Sequence, residues 1–495
     1  MTSGVQLLAY ADRFGGEGLR GLRDLLKGPL EGLFSGVHVL PFYYPIDGAD
    51  AGFDPIDHLA VDGRVGGWDD VQALADVVNV TADLIVNHIS SESAQFLDYL
   101  HRGGASPYAG MFLTAEKVFQ SGMTEDDIGK IYRPRPTSPF VVWMLGDGDE
   151  QRLWTTFTPK QIDIDVADAV AQSYLNDILV KLAASGVTTV RLDAVGYAVK
   201  TPGTSCFMTE ETYRFIDTIA DWTRQLGMRA LGEIHSHYRY QLEAAKHVDY
   251  VYDFALPPLI LHTLFEHNTA AIKEWFNICP RNAITVLDTH DGIGVMDVGP
   301  DALDESAAGL LAPEYIESMV NTIHKNSAGV SKQASQQDVG NLDLYQVNCA
   351  YYDAVGRDDR DYLLARLIQF FAPGTPQVYY VGLLAGENDT EQLSRTRWGR
   401  DVNRRFYSRD DINKQLDRPV VKSLLGLIRF RNRCRAFDGT FELLESSDHE
   451  LRIRRQLDDE VAALRVDIVS RKFEVTYSKG SSQQQFADFG SFSAQ

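Results

Sequence analysis

The chain has 495 residues, 44% hydrophobic and 23% charged, a composition typical of a globular protein with a sizeable core. Its formal net charge of −22 would repel nucleic acid and anionic membranes, so neither is an expected partner. No signal peptide or apolar run of about 18 residues occurs, and the four cysteines lie far apart without a C-x-x-C pair. We therefore expect a soluble cytoplasmic protein with reduced thiols.

Short apolar runs of strand character recur along the chain, and stretches with helical spacing such as "WDDVQALADVV" lie between most of them. Eight strands alternating with helices is the count of a (β/α)₈ barrel, and short apolar strands suit a parallel sheet buried on both faces. We therefore predict an α/β fold of the TIM-barrel type. The eight runs are "VQLLAY" (5–10), "GVHVLPF" (36–42), "TADLIVNH" (81–88), "VTTVRLDA" (187–194), "RALGEIH" (229–235), "VDYVYDF" (248–254), "AITVLDTHD" (283–291) and "TPQVYYVG" (375–382).

Two long intervals interrupt the alternation, one after the third strand and one after the seventh. Both leave from the C-terminal ends of strands, where barrel enzymes build their sites. After a last barrel helix, alternating segments such as "HELRIRR" predict a small antiparallel β domain. The predicted division is a barrel over 1–88, 168–292 and 357–436, an insertion domain B over 89–167, an insertion domain B′ over 293–356, and a C-terminal β domain over 437–495.

Ionisable residues gather where predicted strands end, in "NH" (87–88), "RLD" (191–193), "GEIH" (232–235) and "THD" (289–291). Three of them are carboxylates on different strands: Asp193, Glu233 and Asp291. Glycoside cleavage needs two carboxylates flanking one bond, one to stabilise or attack the sugar and one to deliver a proton. Singly, each could be structural, and Arg191 with Asp193 could be a buried ion pair that fixes register. Their joint occurrence at one rim favours catalysis.

The residues also suggest how the roles divide. Arg191 lies two positions from Asp193 on the same strand face, and it should favour an ionised, nucleophilic Asp193. Glu233 has no basic residue at that near spacing, so we expect desolvation to keep it protonated as the acid. Asp291 would bind sugar hydroxyls as the ring distorts, and His88 and His290 would donate further hydrogen bonds.

"DLIVNH", "VRLDAVGY", "GEIH" and "VLDTHD" resemble, in order, the four signature segments of the α-amylase family of glycoside hydrolases and transglycosylases, glycoside hydrolase family 13. Other segments, among them "AYADRFG", "GADAGFDPIDH", "YRPRP", "NLDLYQVN" and "GRDVNR", resemble the sucrose phosphorylases within that family and span about 5 to 435. The C-terminal segment carries little resemblance.

The resemblance implies that Asp193 is the nucleophile, Glu233 the acid/base and Asp291 the transition-state stabiliser. It also implies binding residues in two groups. The residues that bind the glucosyl unit are Asp50, Phe53, His88, Arg191, Tyr197, His235 of "GEIH", His290 and Arg400. The group on the acceptor side is Arg135, Asp343, Leu344, Tyr345 and Gln346.

The implied reaction is retaining phosphorolysis of sucrose to α-glucose 1-phosphate and fructose, with transglucosylation and slow hydrolysis as side activities. It needs no cofactor or metal, and the resemblance suggests a homodimer. Arg135 would offset the repulsion of phosphate by an acidic protein. Alternatives are a related phosphorylase for glucosylglycerol, glucosylglycerate or sucrose 6-phosphate, an amylase-like hydrolase, or an inactive carbohydrate-binding barrel. Neutral Tyr345 favours plain sucrose, and the presence of all three carboxylates argues against inactivity.

Overall fold

A computed structural model describes residues 4–47, 50–133, 138–337 and 346–493. Within these residues, eight parallel strands close a barrel in which each strand pairs with its sequence neighbours and the last returns to the first. The predicted barrel is confirmed, with one strand in each predicted run. The strands are β1 (Gln6–Ala9), β2 (Gly36–Val39), β3 (Asn79–Ile85), β4 (Val187–Asp193), β5 (Arg229–Gly232), β6 (Tyr250–Asp253), β7 (Ala283–Thr285) and β8 (Thr375–Tyr379).

Helices surround the barrel and bury their apolar faces against it. Several begin at a polar side chain that accepts a hydrogen bond from the first turn, as Asp168 does from the N–H of Val170 at 2.8 Å. None of the described helices has the length and apolar character of a membrane span. The surrounding helices are Gly18–Leu26, Trp68–Ala75, Ala169–Ala184, Glu210–Gln225, Tyr238–Ala244, Leu256–Glu266, Ala270–Ile278, Pro313–Asn326, Asp359–Phe371 and Pro419–Arg433.

Two excursions from the C-terminal ends of strands cover the catalytic rim. The first contains strand His88–Ser90 paired antiparallel with Gln161–Asp163, and strand Phe140–Met144 paired with Glu150–Trp154. The second contains Ile293–Gly294 paired with Gln346–Val347. The remaining described helices lie at Ala94–Arg102, Ala115–Val118, Glu125–Lys130, Val330–Gln337, Tyr351–Ala354, Tyr380–Leu383, Thr390–Thr396, Arg409–Leu416 and Gly490–Ser493, with 3₁₀ turns at Gly103–Ala105, Val195–Tyr197, Gly399–Asn403 and Arg435–Asp438.

The predicted C-terminal β domain is an antiparallel sheet, with five strands in the part of the chain that the structure describes. Side chains alternate between buried and partly exposed along its second strand, as expected for a sheet with one face on a core. The strands are β9 (Thr440–Leu443), β10 (Glu450–Leu457), β11 (Glu460–Asp467), β12 (Lys472–Lys479) and β13 (Ser482–Phe486).

Candidate active site

The C-terminal ends of the barrel strands surround a narrow cavity of about 100 Å³. An apolar cavity of about 150 Å³ holds benzene, so this space, which opens to solvent, is of the size of a single ring. The residues that line it include most of the predicted site: Asp50, Phe53, His88, Asp193, Tyr197, Glu233, His235, His290, Asp291, Gln346 and Arg400. Arg191 lies just beneath and is 1% exposed.

Arg191 holds the carboxylates at the floor of the cavity. Its Nη1 donates to Asp193 Oδ1 at 2.9 Å and also contacts Asp83 Oδ1, while its Nη2 contacts Glu233 Oε1. The strand register explains the first two contacts, since Arg191 pairs directly with Asp83 on the neighbouring strand β3 and lies two residues before Asp193 on its own. The predicted shared strand face of Arg191 and Asp193 is therefore correct.

The expectation that Glu233 has no nearby basic residue is wrong. Leu192 of β4 pairs with Gly232 of β5, so Glu233, the next residue after β5, lies within hydrogen-bonding distance of the Arg191 guanidinium. Glu233 Oε2 also accepts a hydrogen bond of 3.1 Å from the backbone N–H of Ala194. Ala194, the first residue after β4, has a left-handed backbone (φ 54°), so the chain turns sharply where the strand ends. Glu233 is therefore held from two sides, by the Arg191 guanidinium and by a backbone N–H.

The expected ionisation of Asp193 also needs correction. Burial, followed by the nearby Glu233 carboxylate, raises the pKa of Asp193 well above its usual range, against the opposing effect of Arg191. One arginine between the two carboxylates does not compensate both charges in a buried site. Arg191 therefore weakens, but does not abolish, the preference of buried Asp193 for its proton.

Asp291 lies in a strongly cationic setting. Its Oδ1 is 2.8 Å from Arg400 Nη1 and 3.9 Å from Arg404 Nη2, and the same two arginines contact Asp50 at 3.2 and 3.4 Å. Burial opposes ionisation, but Arg400 and His235 outweigh it and hold the pKa of Asp291 well below its usual range. Asp50 and Arg400 meet as predicted, and Arg400 also pairs with Asp291.

His235 lies between carboxylates on several loops. Its Nε2 is 3.7 Å from Glu233 and 3.8 Å from Asp291, and its Nδ1 is 3.6 Å from Asp297. Burial disfavours the charged ring, but these carboxylates outweigh it and raise the pKa of His235 to about 10. Ligand atoms of Glu233, His235 and Asp291 converge within 4.8 Å, a donor set for a cation. With its pKa raised, His235 carries a positive charge near neutral pH and balances the carboxylates around it.

The other two predicted histidines are buried and electrically neutral. Burial lowers the pKa of His290 to about 3 and also lowers the pKa of His88. His88 Nε2 lies 2.9 Å from the backbone carbonyl of Phe53, and the Phe53 ring stacks on His290 with centroids 4.8 Å apart. A neutral imidazole has one N–H, and in His88 it donates to the Phe53 carbonyl, so His88 can only accept a hydrogen bond from a sugar hydroxyl. His290 can donate to a hydroxyl without adding charge, beside the apolar face of Phe53.

Tyr197 belongs to an aromatic wall on the opposite side of the cavity. Its ring lies 4.7 Å from that of Phe207 and 5.3 Å from that of Phe157, measured between centroids. Lys200 supports the wall from behind, since its Nζ contacts the carbonyl of Tyr197 and lies 2.8 Å from buried Asp163. The wall offers an apolar surface facing the charged floor.

The predicted acceptor-side residues are placed only in part. Gln346 is 1% exposed and lines the cavity. The other members of the group, Arg135, Asp343, Leu344 and Tyr345, fall outside the described residues.

Sequence reasoning missed several supporting residues. Asp83 carried a signal, because it is a carboxylate inside the apolar run "TADLIVNH". Arg404 lies one turn beyond Arg400 in "GRDVNRR", and a second arginine there is a weaker signal. Asp297 and Phe207 gave none, because only the folded loops bring them to the cavity.

Comparison with known proteins finds similarity over most of the chain. Residues 19–414 match the model of the alpha-amylase catalytic domain. A sucrose phosphorylase of Agrobacterium vitis is 54% identical, over 97% of this chain and 98% of its own, and one of Bifidobacterium adolescentis is 50% identical, over 90% and 89%. The crystal structure of sucrose 6F-phosphate phosphorylase from Thermoanaerobacter thermosaccharolyticum superposes with a TM-score of 0.90 at 35% identity, covering 99% of this chain and 98% of that one. The chain belongs to the alpha-amylase family.

Proposed function

We propose that this protein is a sucrose phosphorylase, a hexosyltransferase that converts sucrose and inorganic phosphate to α-glucose 1-phosphate and fructose. The observation that carries the proposal is the arrangement of Asp193, Glu233 and Asp291 around a cavity for one sugar ring, with Arg191 beneath it. The similarity of nearly the whole chain to two sucrose phosphorylases supports the choice of substrate.

In the first step, Asp193 attacks the anomeric carbon of the glucosyl unit while Glu233 protonates the departing fructose oxygen. This step needs an ionised Asp193 and a protonated Glu233. Arg191, which contacts both carboxylates, favours the ionised form of Asp193, and the positive charge that develops on the sugar in the transition state stabilises that carboxylate further. Asp291, kept ionised by Arg400, stabilises the same positive charge.

In the second step, phosphate attacks the glucosyl ester of Asp193 from the face that fructose has left, and Glu233 accepts a proton from it. Two inversions at the same carbon give net retention, so the product is the α anomer. We assign the acceptor side to Arg135, Asp343, Leu344, Tyr345 and Gln346. Slow hydrolysis and transglucosylation follow when water or another alcohol takes the place of phosphate.

Several further features belong to the proposal. The enzyme uses no cofactor, and phosphate is a co-substrate. It works in the cytoplasm as a homodimer, and its insertion domains extend over 89–167 and 293–356. The amino acids that bind the glucosyl unit hold the sugar in the same position in both steps. A fixed ring aligns the anomeric carbon for each successive attack.

A substrate comparison tests the proposal. The purified protein is incubated with sucrose or with sucrose 6F-phosphate, with and without inorganic phosphate, and fructose release is followed. We expect fast, phosphate-dependent release from sucrose and a much slower reaction with the phosphorylated substrate. Preference for sucrose 6F-phosphate would assign the chain to the activity named for its structural relative. Release independent of phosphate would indicate a hydrolase.

A further inference from the structure

A second pocket, of about 690 Å³, opens on the barrel face opposite the catalytic cavity. One wall comes from residues at the N-terminal ends of β7 and β8, including Arg281 and Thr375. The other wall comes from the C-terminal domain, through the segment 437–441 and Arg455 of β10. Small-molecule sites commonly have volumes of about 300 to 1,000 Å³, so the pocket is large enough for a metabolite.

Arginines dominate this pocket. Arg455 occupies a core-facing position of β10 and is 4% exposed. It donates to the backbone carbonyls of Ala372 and Phe437, at 3.2 and 2.6 Å, but its Nε has no hydrogen-bond partner among the described residues. Arg281 lies exposed at the rim, and its guanidinium lies over the Phe441 ring at 5.1 Å.

A third arginine lies behind the lining. Arg431 is 1% exposed, stacks on the Phe437 ring at 4.2 Å and donates from Nε to the carbonyl of Phe370. Its Nη2 has no partner in the described part of the chain. Buried charges are normally paired, but the hydrogen bonds of these two guanidiniums within the described residues go to backbone carbonyls, and Asp438 at the surface is the carboxylate that acts on both.

The charge balance favours an anion. Among the described lining residues, Asp438 alone carries a carboxylate, and it is exposed. Burial, and then repulsion between neighbouring arginines, lowers the pKa of Arg431 to about 9 and that of Arg455 to about 10. Guanidinium groups stay protonated near neutral pH, so the repulsion persists and a bound anion would relieve it. In a chain with a net charge of −22, this is a local exception.

We propose that this pocket binds a phosphate monoester, with Arg281 and Arg455 as its phosphate ligands. Guanidinium groups match phosphate oxygens, and the pocket exceeds the volume that inorganic phosphate alone would need. Thr375 and Thr440 place hydroxyls beside the remaining space, where a polar organic portion such as a sugar would lie. The pocket is separate from the catalytic cavity, so the proposal does not depend on the proposed reaction.

Calorimetric titration with glucose 6-phosphate tests the proposal, with glucose in excess to occupy the catalytic cavity and inorganic phosphate as a second probe. The test variant is Arg281→Glu, since this residue is exposed and its replacement leaves the core intact. The control is Arg229→Glu, at an exposed arginine where β5 begins, on the same barrel face but outside the pocket. Like Arg281, Arg229 lies over an aromatic ring, that of Tyr250, at 6.0 Å.

We expect saturable binding of glucose 6-phosphate that Arg281→Glu weakens by at least about ten-fold, the effect of one charge-assisted hydrogen bond. Arg229→Glu should leave the affinity within about two-fold of the parent protein, and both variants should keep the parent rate of fructose release from sucrose. Equal affinities in the parent and Arg281→Glu would overturn the site. Equal affinities for inorganic phosphate and the ester would overturn its assignment to an ester.

Discussion

Replacing Asp83 with asparagine should impair both stability and catalysis, although Asp83 does not line the cavity. Asp83 is fully buried; its Oδ1 contacts Arg191 and its Oδ2 lies 3.0 Å from His38 Nε2. Burial opposes its ionisation, but His38 and Arg191 outweigh it and lower its pKa to about 2. The folded-state pKa is below the unfolded value of about 3.9, so the carboxylate stabilises the fold above that value and the stabilisation is lost as the pH falls toward 2.

At neutral pH the substitution removes the negative charge of Asp83, which contacts Arg191 on the side away from the cavity. Removing one partner of a buried ion pair typically costs about 3 to 5 kcal/mol of unfolding free energy, because the other charge stays buried. The freed guanidinium should also shift toward Asp193 and Glu233 and bind their ground state more tightly. We expect kcat on sucrose to fall by about ten-fold to a hundred-fold, the equivalent of a charge-assisted hydrogen bond of about 1.5 to 3 kcal/mol.

Urea unfolding and steady-state kinetics at pH 7 measure the two effects. Asp177→Asn is the matched control, because it makes the same change at an exposed position of helix Ala169–Ala184 and should stay within about 0.5 kcal/mol of the parent. If Asp83→Asn matched this control in both unfolding free energy and kcat, Asp83 would have neither a stabilising nor a positioning role. A loss of stability with unchanged kcat would separate Asp83 from the positioning of Arg191.

Three further substitutions test the proposed roles. Asp193→Asn should abolish turnover of sucrose while the circular dichroism spectrum stays unchanged, since an amide of equal size cannot form the glucosyl ester; a rate above a few per cent of the parent would exclude Asp193 as the nucleophile. Glu233→Gln should spare α-glucosyl fluoride, which needs no protonation of its leaving group, and slow sucrose severely; equal losses on both substrates would remove Glu233 from the acid role. Arg135→Ala should raise the KM for phosphate by about ten-fold to a hundred-fold and leave hydrolysis of sucrose without phosphate near the parent rate, since a charge-assisted hydrogen bond to the anion is lost. Parallel losses of phosphorolysis and hydrolysis would mean that Arg135 is structural.

The barrel was predictable because its signals are local. Each strand is a short apolar run, and the alternation of strands with helices gives the parallel order directly. Polar residues at the ends of those runs mark the catalytic rim, and the two-residue period places Arg191 beside Asp193. The strands themselves are shorter than the runs: β7 ends at Thr285, and the rest of "AITVLDTHD" forms the loop that carries His290 and Asp291.

The charge environment was not predictable, because it depends on pairing between strands. The contact of Arg191 with Glu233 follows from the register of β4 on β5, which no spacing within one strand reveals. The raised pKa of Asp193 depends on burial and on the same neighbouring carboxylate. Arg400 and Asp50 are 350 positions apart in the sequence. Their placement in one site was predicted from the resemblance to a known family, because no local pattern connects them.

Proton NMR of the first product distinguishes retaining phosphorolysis of sucrose from the alternatives. The enzyme is mixed with sucrose and inorganic phosphate, and the anomeric signals are followed before any equilibration. We expect α-glucose 1-phosphate and fructose in equal amounts from the earliest time points. The β anomer of glucose 1-phosphate, or free glucose formed at the same rate with and without phosphate, would contradict retaining phosphorolysis.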